Sequence, residues 1–166
     1  MSADKGNDKS MVECGEMLSL GNGCKSDKEE AVKYIQKAIE KGNSDAMYLY
    51  GKWLDIGKIV PLNEKEALRY IQMAIKKGNA KAHTYYGKML ECGEIKSKDD
   101  KEFVNYFKLG AEKGDTYGMF LYSSHLYEGK YIELNKKEAI KIIQKAIKKG
   151  HPGSMDFYYK HRKEIK

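Results

Sequence analysis

Three features of this chain could support catalysis or ligand binding: a glycine-rich segment, the cysteines and the histidines. The glycine-rich segment is SLGNGCKSDKEE, residues 19–30, in which glycines precede a lysine and a serine. A phosphate-binding loop needs Gly, Lys and Ser or Thr in direct succession after four spacers, behind a buried strand. Here Cys24 separates Gly23 from Lys25, and the preceding residues have helical spacing. The segment is therefore not predicted to bind a nucleotide.

The histidines and cysteines lack the spacing that is typical of catalysis or metal binding. They are His83, His125, His151, His161, Cys14, Cys24 and Cys92. None belongs to a His-Glu-x-x-His or Cys-x-x-Cys pattern, and no Gly-x-Ser-x-Gly nucleophile elbow occurs. We therefore predict no catalytic residue, no metal ligand and no cofactor, and we expect the protein not to be an enzyme.

The composition bounds the class of protein. Of the 166 residues, 41% are apolar, 33% are charged and only 2 are proline, which suits a soluble, helix-rich chain. No run of apolar residues is long enough to span a membrane, and the N-terminal MSADKGNDKS lacks the apolar core of a secretory signal. The odd cysteine count and the absence of an Asn-x-Ser/Thr sequence do not support secretion. We expect a cytoplasmic protein.

Two series of glycines recur at a constant interval of 36 residues. They are Gly6, Gly42, Gly78, Gly114 and Gly150 in one series, and Gly21, Gly57, Gly93 and Gly129 in the other. Large and small apolar residues keep the same period, and His83 shares its position with Met47 and Met119, which is typical of a packing residue. A constant period of roughly 20–50 residues indicates a repeat protein. The chain is therefore predicted to contain four such units.

Each unit carries the signals of two helices. The second helix of each unit begins at a short polar residue followed three positions later by glutamate; the pairs are Asp27 and Glu30, Asn63 and Glu66, Asp99 and Glu102, and Asn135 and Glu138. This is the pattern of a capping box. Glycine permits the left-handed backbone that ends a helix, and a preceding lysine complements the helix dipole. We predict second helices over residues 27–41, 63–77, 99–113 and 135–149.

These positions resemble the Sel1-like repeat, a helix-pair relative of the tetratricopeptide repeat. In the second unit the matching residues are Gly42, Asn43, Ala46, Gly51, Leu54, Gly57, Ala67, Tyr70, Ala74 and Gly78. The resemblance implies an all-α fold, a right-handed α-solenoid of four antiparallel helix pairs with a C-terminal capping helix. The repeats are expected at about 7–42, 43–78, 79–114 and 115–150 and the capping helix at about 151–164, within a single domain of residues 1–166. Cysteine-rich bacterial members pair cysteines within each repeat, whereas the three cysteines here occupy three different repeat positions.

The resemblance also implies that the protein acts through a surface. In such solenoids the first helices line an extended concave face that is free to bind a partner. After the buried positions are removed, the candidate binding residues are Asp45, Tyr48, Lys52, Asp55, Lys81, Thr84, Lys88, Glu91, Tyr117, Phe120, Ser124 and Tyr127. The aromatic residues could anchor apolar side chains, and the lysines could bind a carboxylate or a phosphate. The competing interpretation is that these residues form an ordinary solvated face.

We therefore predict a non-catalytic scaffold or adaptor that binds a protein or peptide. The net charge of +7 leaves a basic surface for nucleic acid or acidic partners as an alternative, although many lysines cluster at helix C-terminal ends, where the dipole favours them. A hydrolase, proposed for some relatives, is a weaker alternative because no nucleophile stands beside a base. The ends of the chain are compatible with a longer repeat array or a multi-domain protein.

Overall fold

A computed structural model describes residues 3–21, 25–97 and 99–162, with side chains from residue 8 onward. Within these ranges the regular structure consists of nine α-helices, without a strand. The helices are α1 (Ala3–Leu20), α2 (Lys28–Glu40), α3 (Ser44–Ile56), α4 (Glu64–Lys76), α5 (Ala80–Glu91), α6 (Glu102–Glu112), α7 (Thr116–Glu128), α8 (Lys136–Lys148) and α9 (Pro152–His161). The predicted all-α repeat fold of four helix pairs and a C-terminal helix is confirmed.

Three of the four second helices begin where the sequence predicts. Oδ1 of Asp27, Asn63 and Asn135 accepts a hydrogen bond of 3.0, 3.1 and 3.0 Å from the backbone amide three residues later. Each such bond satisfies an amide that has no partner within the helix and contributes on the order of 1 kcal/mol. The glutamate that supplies the amide directs its carboxylate forward, to the lysine or arginine three residues further on.

The third repeat departs from this prediction. Helix α6 begins at Glu102, its N-cap is Lys101, and that cap makes no side-chain hydrogen bond. Asp99 instead accepts a 2.9 Å bond from the amide of Lys101, and the Ser97 hydroxyl bonds to the Glu102 carboxylate. Short polar side chains that bond to nearby backbone amides compete with helix formation. The predicted start at residue 99 is therefore wrong.

Glycine ends the helices as predicted, with one exception. The two glycine series have φ between +67° and +101° at Gly21, Gly42, Gly57, Gly78, Gly93, Gly114, Gly129 and Gly150. This left-handed conformation costs other residues roughly 1–2 kcal/mol, which accounts for the strict spacing. Gly6 differs because it lies inside α1 and ends no helix.

The chain divides into two compact units, residues 1–79 and 80–166. In the first unit, the first and second helices of each repeat approach closely because a glycine of one faces an isoleucine of the other. A Cβ atom on Gly15 would lie 2.7 Å from Cδ1 of Ile35, and one on Gly51 would lie 3.0 Å from Cδ1 of Ile71. Both isoleucines are fully buried. The recurring small and large residues are thus the packing contacts of the helix pairs.

The second unit uses the same arrangement with other residues. A Cβ atom on Gly87 would lie 2.8 Å from the ring of Phe107, and in the fourth repeat the fully buried Ser123 takes the place of glycine. Phe107 belongs to a core cluster with Phe103 and Val104. Helix α9 packs on α8 at the end of this unit.

Candidate functional site

In the first unit, the four predicted binding residues all lie on α3. Tyr48, Lys52 and Asp55 are half-buried, whereas Asp45 is exposed. Oδ1 of Asp45 accepts a 2.7 Å hydrogen bond from the side-chain amide of Asn79, which is only 5% exposed. Asp45 therefore supports the structure of its own unit and is not simply a free surface charge.

An open cavity of about 220 Å³ lies between the first helices α1 and α3 of this unit. We call it the α1–α3 groove; its lining residues are Glu16, Ser19, Leu20, Leu49, Lys52, Trp53, Ile56, Lys58 and Ile59. Trp53 is 6% exposed, while Leu20 and Ile56 are 63% and 45% exposed. The groove thus combines a buried indole with two exposed aliphatic side chains. Of the predicted binding residues, Lys52 alone is part of its lining.

In the second unit, two predicted binding residues already neutralise each other. Nζ of Lys88 lies 2.6 Å from Oε2 of Glu91, and this hydrogen bond raises the pKa of Lys88 above its ordinary value against the opposing effect of burial. Oε1 of Glu91 also lies 3.3 Å from Nε2 of His125. Glu91 therefore competes directly with any external carboxylate for Lys88. Lys81 is exposed on the same helix.

Two predicted surface residues belong to the interior instead, which corrects the prediction. Thr84 is 2% exposed and fills the space left by the missing side chains of Gly110 and Gly118. Tyr127 is 6% exposed, and its ring packs against Phe157. Thr84 is inaccessible because α6 and α7 pack against it, and Tyr127 is inaccessible because the C-terminal helix α9 packs against it.

The aromatic residues of α7 form a stack with a histidine. The ring of His151 lies 5.1 Å from Phe120 and 6.1 Å from Tyr117, nearly parallel to both. Burial lowers the pKa of His151 below its ordinary 6.5, although Asp115 acts in the opposite direction. Tyr117 remains 44% exposed. The hydroxyl of Ser124 donates a 3.0 Å bond to its own helix, at the carbonyl of Phe120.

The described residues contain no cluster suited to a metal ion. Among them, no group of three or more His, Cys, Asp or Glu side chains could hold a metal ion. His83, 5% exposed, is a core residue as predicted. Likewise, none of the described helices has an apolar stretch long enough to cross a membrane.

The four helix pairs coincide with four matches to the sequence model of a known repeat. The sequence model of the Sel1 repeat matches four consecutive stretches of the chain, residues 8–43, 44–79, 80–115 and 116–151. The chain belongs to the Sel1 repeat family. Proteins of this family are generally scaffolds for protein interactions. No curated protein sequence matches the chain.

Several solved structures are similar to this Sel1 repeat protein. A Sel1 repeat protein from Oxalobacter formigenes superimposes with a TM-score of 0.80 at 25% identity, over 96% of this chain and 65% of that one. The protein c5321, a protective antigen of uropathogenic Escherichia coli with an SLR fold, gives 0.72 at 27% identity, over 97% and 35%. Cysteine rich protein B of Helicobacter pylori gives 0.61 at 22% identity, over 82% and 98%. The chain thus spans about two thirds of the first relative and a third of the second.

The Sel1 register shows why the sequence analysis missed the apolar groove. Leu20 and Ile56 occupy equivalent positions in the first two repeats, whereas the third and fourth repeats have Cys92 and Glu128 there. An apolar residue shared by only some repeats is a usable signal, since a position required by the fold would be apolar throughout. A pattern of positions repeated in all four units does not include these groove residues.

Proposed function

We propose that this Sel1 repeat protein is a non-catalytic scaffold or adaptor, and that the α1–α3 groove holds an apolar side chain from a segment of a partner protein. The observation that carries the proposal is the exposure of Leu20 and Ile56, at 63% and 45%, on either side of the buried Trp53. Exposed aliphatic groups that surround a cavity mark an interaction site more often than isolated exposed residues do.

The size of the groove favours a side chain over a small molecule. Its volume of about 220 Å³ is below the roughly 300–1,000 Å³ of typical small-molecule pockets. A large aliphatic or aromatic side chain would fit such a space and bury the indole edge of Trp53. Interface energy usually concentrates in central anchors of this kind.

The charges at the rim favour an acidic neighbour beside the apolar anchor. Lys52 and Lys58 line the groove together with one carboxylate, that of Glu16. The proposed ligand is therefore a protein segment that carries a large apolar residue next to Asp or Glu. Complementary charge would increase the association rate and the specificity more than the affinity.

The histidine contacts support a non-catalytic role, since the Ser154 hydroxyl, 2.9 Å from Nδ1 of His151, is fully buried. The rings of His83, His125 and His151 pack against aromatic neighbours, at 6.5 Å from Tyr106, 5.9 Å from Phe107 and 5.1 Å from Phe120. A cytoplasmic location is part of the same proposal. It is supported by Cys14 and Cys92, which are exposed free thiols of the kind that persist in a reducing compartment.

The test is a selection of random peptides displayed on phage, with the wild-type protein as bait. Enriched peptides are expected to share a large apolar residue next to an acidic one. They should lose binding to Leu20→Glu and Ile56→Glu, because a charge would then stand at the apolar rim. Both positions are exposed, so the fold should tolerate the change.

Leu109→Glu is the matched control. Leu109 is 40% exposed on the second helix α6 and does not line the α1–α3 groove, so this variant should bind the selected peptides like the wild type. If Leu20→Glu and Ile56→Glu also bind them normally, the groove is not the binding site. Equal circular dichroism spectra and denaturation midpoints must be established for all variants first.

A further inference from the structure

A second open cavity lies in the second unit. Its volume is about 640 Å³, and α6, α7 and α8 enclose it. We call it the α6–α8 groove; its lining residues are Lys108, Ala111, Glu112, Lys113, Gly114, Met119, Tyr122, Glu138, Ile142, Lys145 and Lys149. The second helices contribute most of these residues, and none of them lines the α1–α3 groove.

The positive charge of the groove exceeds its negative charge. Four lysines and two glutamates line it, and both glutamates have cations close by. Glu112 lies 4.0 Å from Lys108, and Glu138 lies 3.6 Å from Lys141, which stands outside the groove. Among the described residues, no carboxylate lies within ion-pair distance of Lys113, Lys145 or Lys149. These three ammonium groups therefore remain available to an external anion.

Helix dipoles account for only part of this charge. Lys113 and Lys149 follow the last turns of α6 and α8, where a cation is favoured. Nζ of Lys149 lies 3.3 Å from the place that a Cβ atom on Gly114 would occupy, and thus over the C-terminal end of α6. Lys108 has no such explanation: it is in the middle of its helix, and the other three repeats have Gln36, Gln72 and Gln144 at the same position.

The base of the groove is apolar. Ala111 and Met119 are 8% and 7% exposed there, and the side chains of Tyr122 and Ile142 pack against the same core cluster. Burial, and after it the negative charges of Glu112 and Glu138, raise the pKa of Tyr122 above its ordinary value. A ligand that fits this base must therefore present apolar groups as well as negative charge.

We propose that the α6–α8 groove binds an acidic segment of a protein in which apolar residues alternate with carboxylates. The lysines would pair with the carboxylates, and Met119, Tyr122 and Ile142 would receive the apolar side chains. A nucleic acid fits less well, since its uniform phosphate charge would face Glu112 and Glu138.

The experiment uses two probes of similar charge. One is a short fluorescein-labelled peptide in which pairs of glutamates flank leucines, and the other is a fluorescein-labelled single-stranded oligonucleotide. Fluorescence anisotropy should show that the wild-type protein binds the peptide, and that the affinity falls as salt is added because the lysines are exposed to solvent. The variant Lys113→Glu/Lys145→Glu should bind it about tenfold more weakly, since two attractive contacts become repulsive.

The matched control is Lys137→Glu/Lys160→Glu, which changes the net charge equally at two exposed positions of the same unit outside the groove. It should bind the peptide nearly as well as the wild type, and so should Ile56→Glu, which separates this proposal from that for the α1–α3 groove. The proposal is overturned if the groove variant and the control lose affinity equally, if the peptide does not bind, or if the oligonucleotide binds more tightly and responds to the groove variant.

Discussion

The side-chain amide of Asn79 donates a 2.7 Å hydrogen bond to Oδ1 of Asp45. Asn79 is 5% exposed and follows α4, whereas Asp45 is exposed in the first turn of α3. The bond therefore connects the end of the second repeat to the beginning of its first helix. Asp45, which the sequence pattern placed on the binding face, thus takes part in a hydrogen bond within its own repeat.

We expect Asp45→Ala to lower the free energy of unfolding by about 1–3 kcal/mol, because the buried amide of Asn79 loses a charged acceptor. The matched control is Glu64→Ala, which removes an exposed carboxylate from the first turn of α4 in the same unit. That change should cost only about 0.3–1 kcal/mol, through the helix dipole. Urea denaturation measures both, and equal losses would show that the bond to Asn79 contributes little.

Thr84 and Gly110 should be energetically coupled. A Cβ atom on Gly110 would collide with Oγ1 of Thr84, even though alanine occupies the same position in the other repeats, at Ala38, Ala74 and Ala146. We expect Gly110→Ala to destabilise the protein by about 1–3 kcal/mol through overpacking. The double variant with Thr84→Ala should cost less than the sum of the two single changes.

Gly153→Ala is the control for this experiment. An added Cβ atom at Gly153 would meet its nearest neighbour at 3.5 Å, an ordinary contact, so the variant should be as stable as the wild type or slightly more stable. Strictly additive effects of Gly110→Ala and Thr84→Ala in denaturation experiments would contradict the predicted collision.

The protein should lose stability at acidic pH through His151. Burial holds the pKa of His151 below its ordinary 6.5, so the folded state favours the neutral imidazole. Because the unfolded chain takes up the proton first, this contribution is present above about pH 6.5 and is lost as the pH falls through the folded pKa. Denaturation midpoints over roughly pH 5–8 should therefore decline more steeply for wild type than for His151→Phe.

The phenylalanine in that variant keeps a ring against Phe120 and Tyr117 but cannot titrate. A direct check is the NMR titration of the His151 ring, whose pKa should lie below 6.5. Parallel pH profiles for the two proteins would mean that His151 is protonated equally in the folded and unfolded states.

The fold was largely predictable because local signals recur in register. Asp27, Asn63 and Asn135 cap their helices as predicted, since a cap needs only a short acceptor and a free amide nearby. Asp99 carries the same signal but bonds within a turn beside Ser97. The turn that replaces the helix start at Asp99 depends on Ser97, a residue that does not recur in the other repeats.

The accessibility of individual side chains was much less predictable. Thr84 and Tyr127 fall at positions that appear exposed in an isolated helix, yet they are 2% and 6% exposed. Leu20 and Ile56 fall at positions that an apolar pattern would place in a core, yet they are 63% and 45% exposed. Accessibility depends on which neighbouring helix covers a position, and the periodicity of one helix does not contain that information.

The repeat period, the helix pairs and most of the helix ends follow from the sequence alone, because glycine, capping residues and small–large pairs act over a few residues or within one repeat. The bond between Asp45 and Asn79, the approach of Glu91 to His125, and the basic groove that α6, α7 and α8 line all depend on the tertiary structure. These contacts join residues that are distant in sequence, and the energy of each depends on a distance that the periodicity of one helix does not specify.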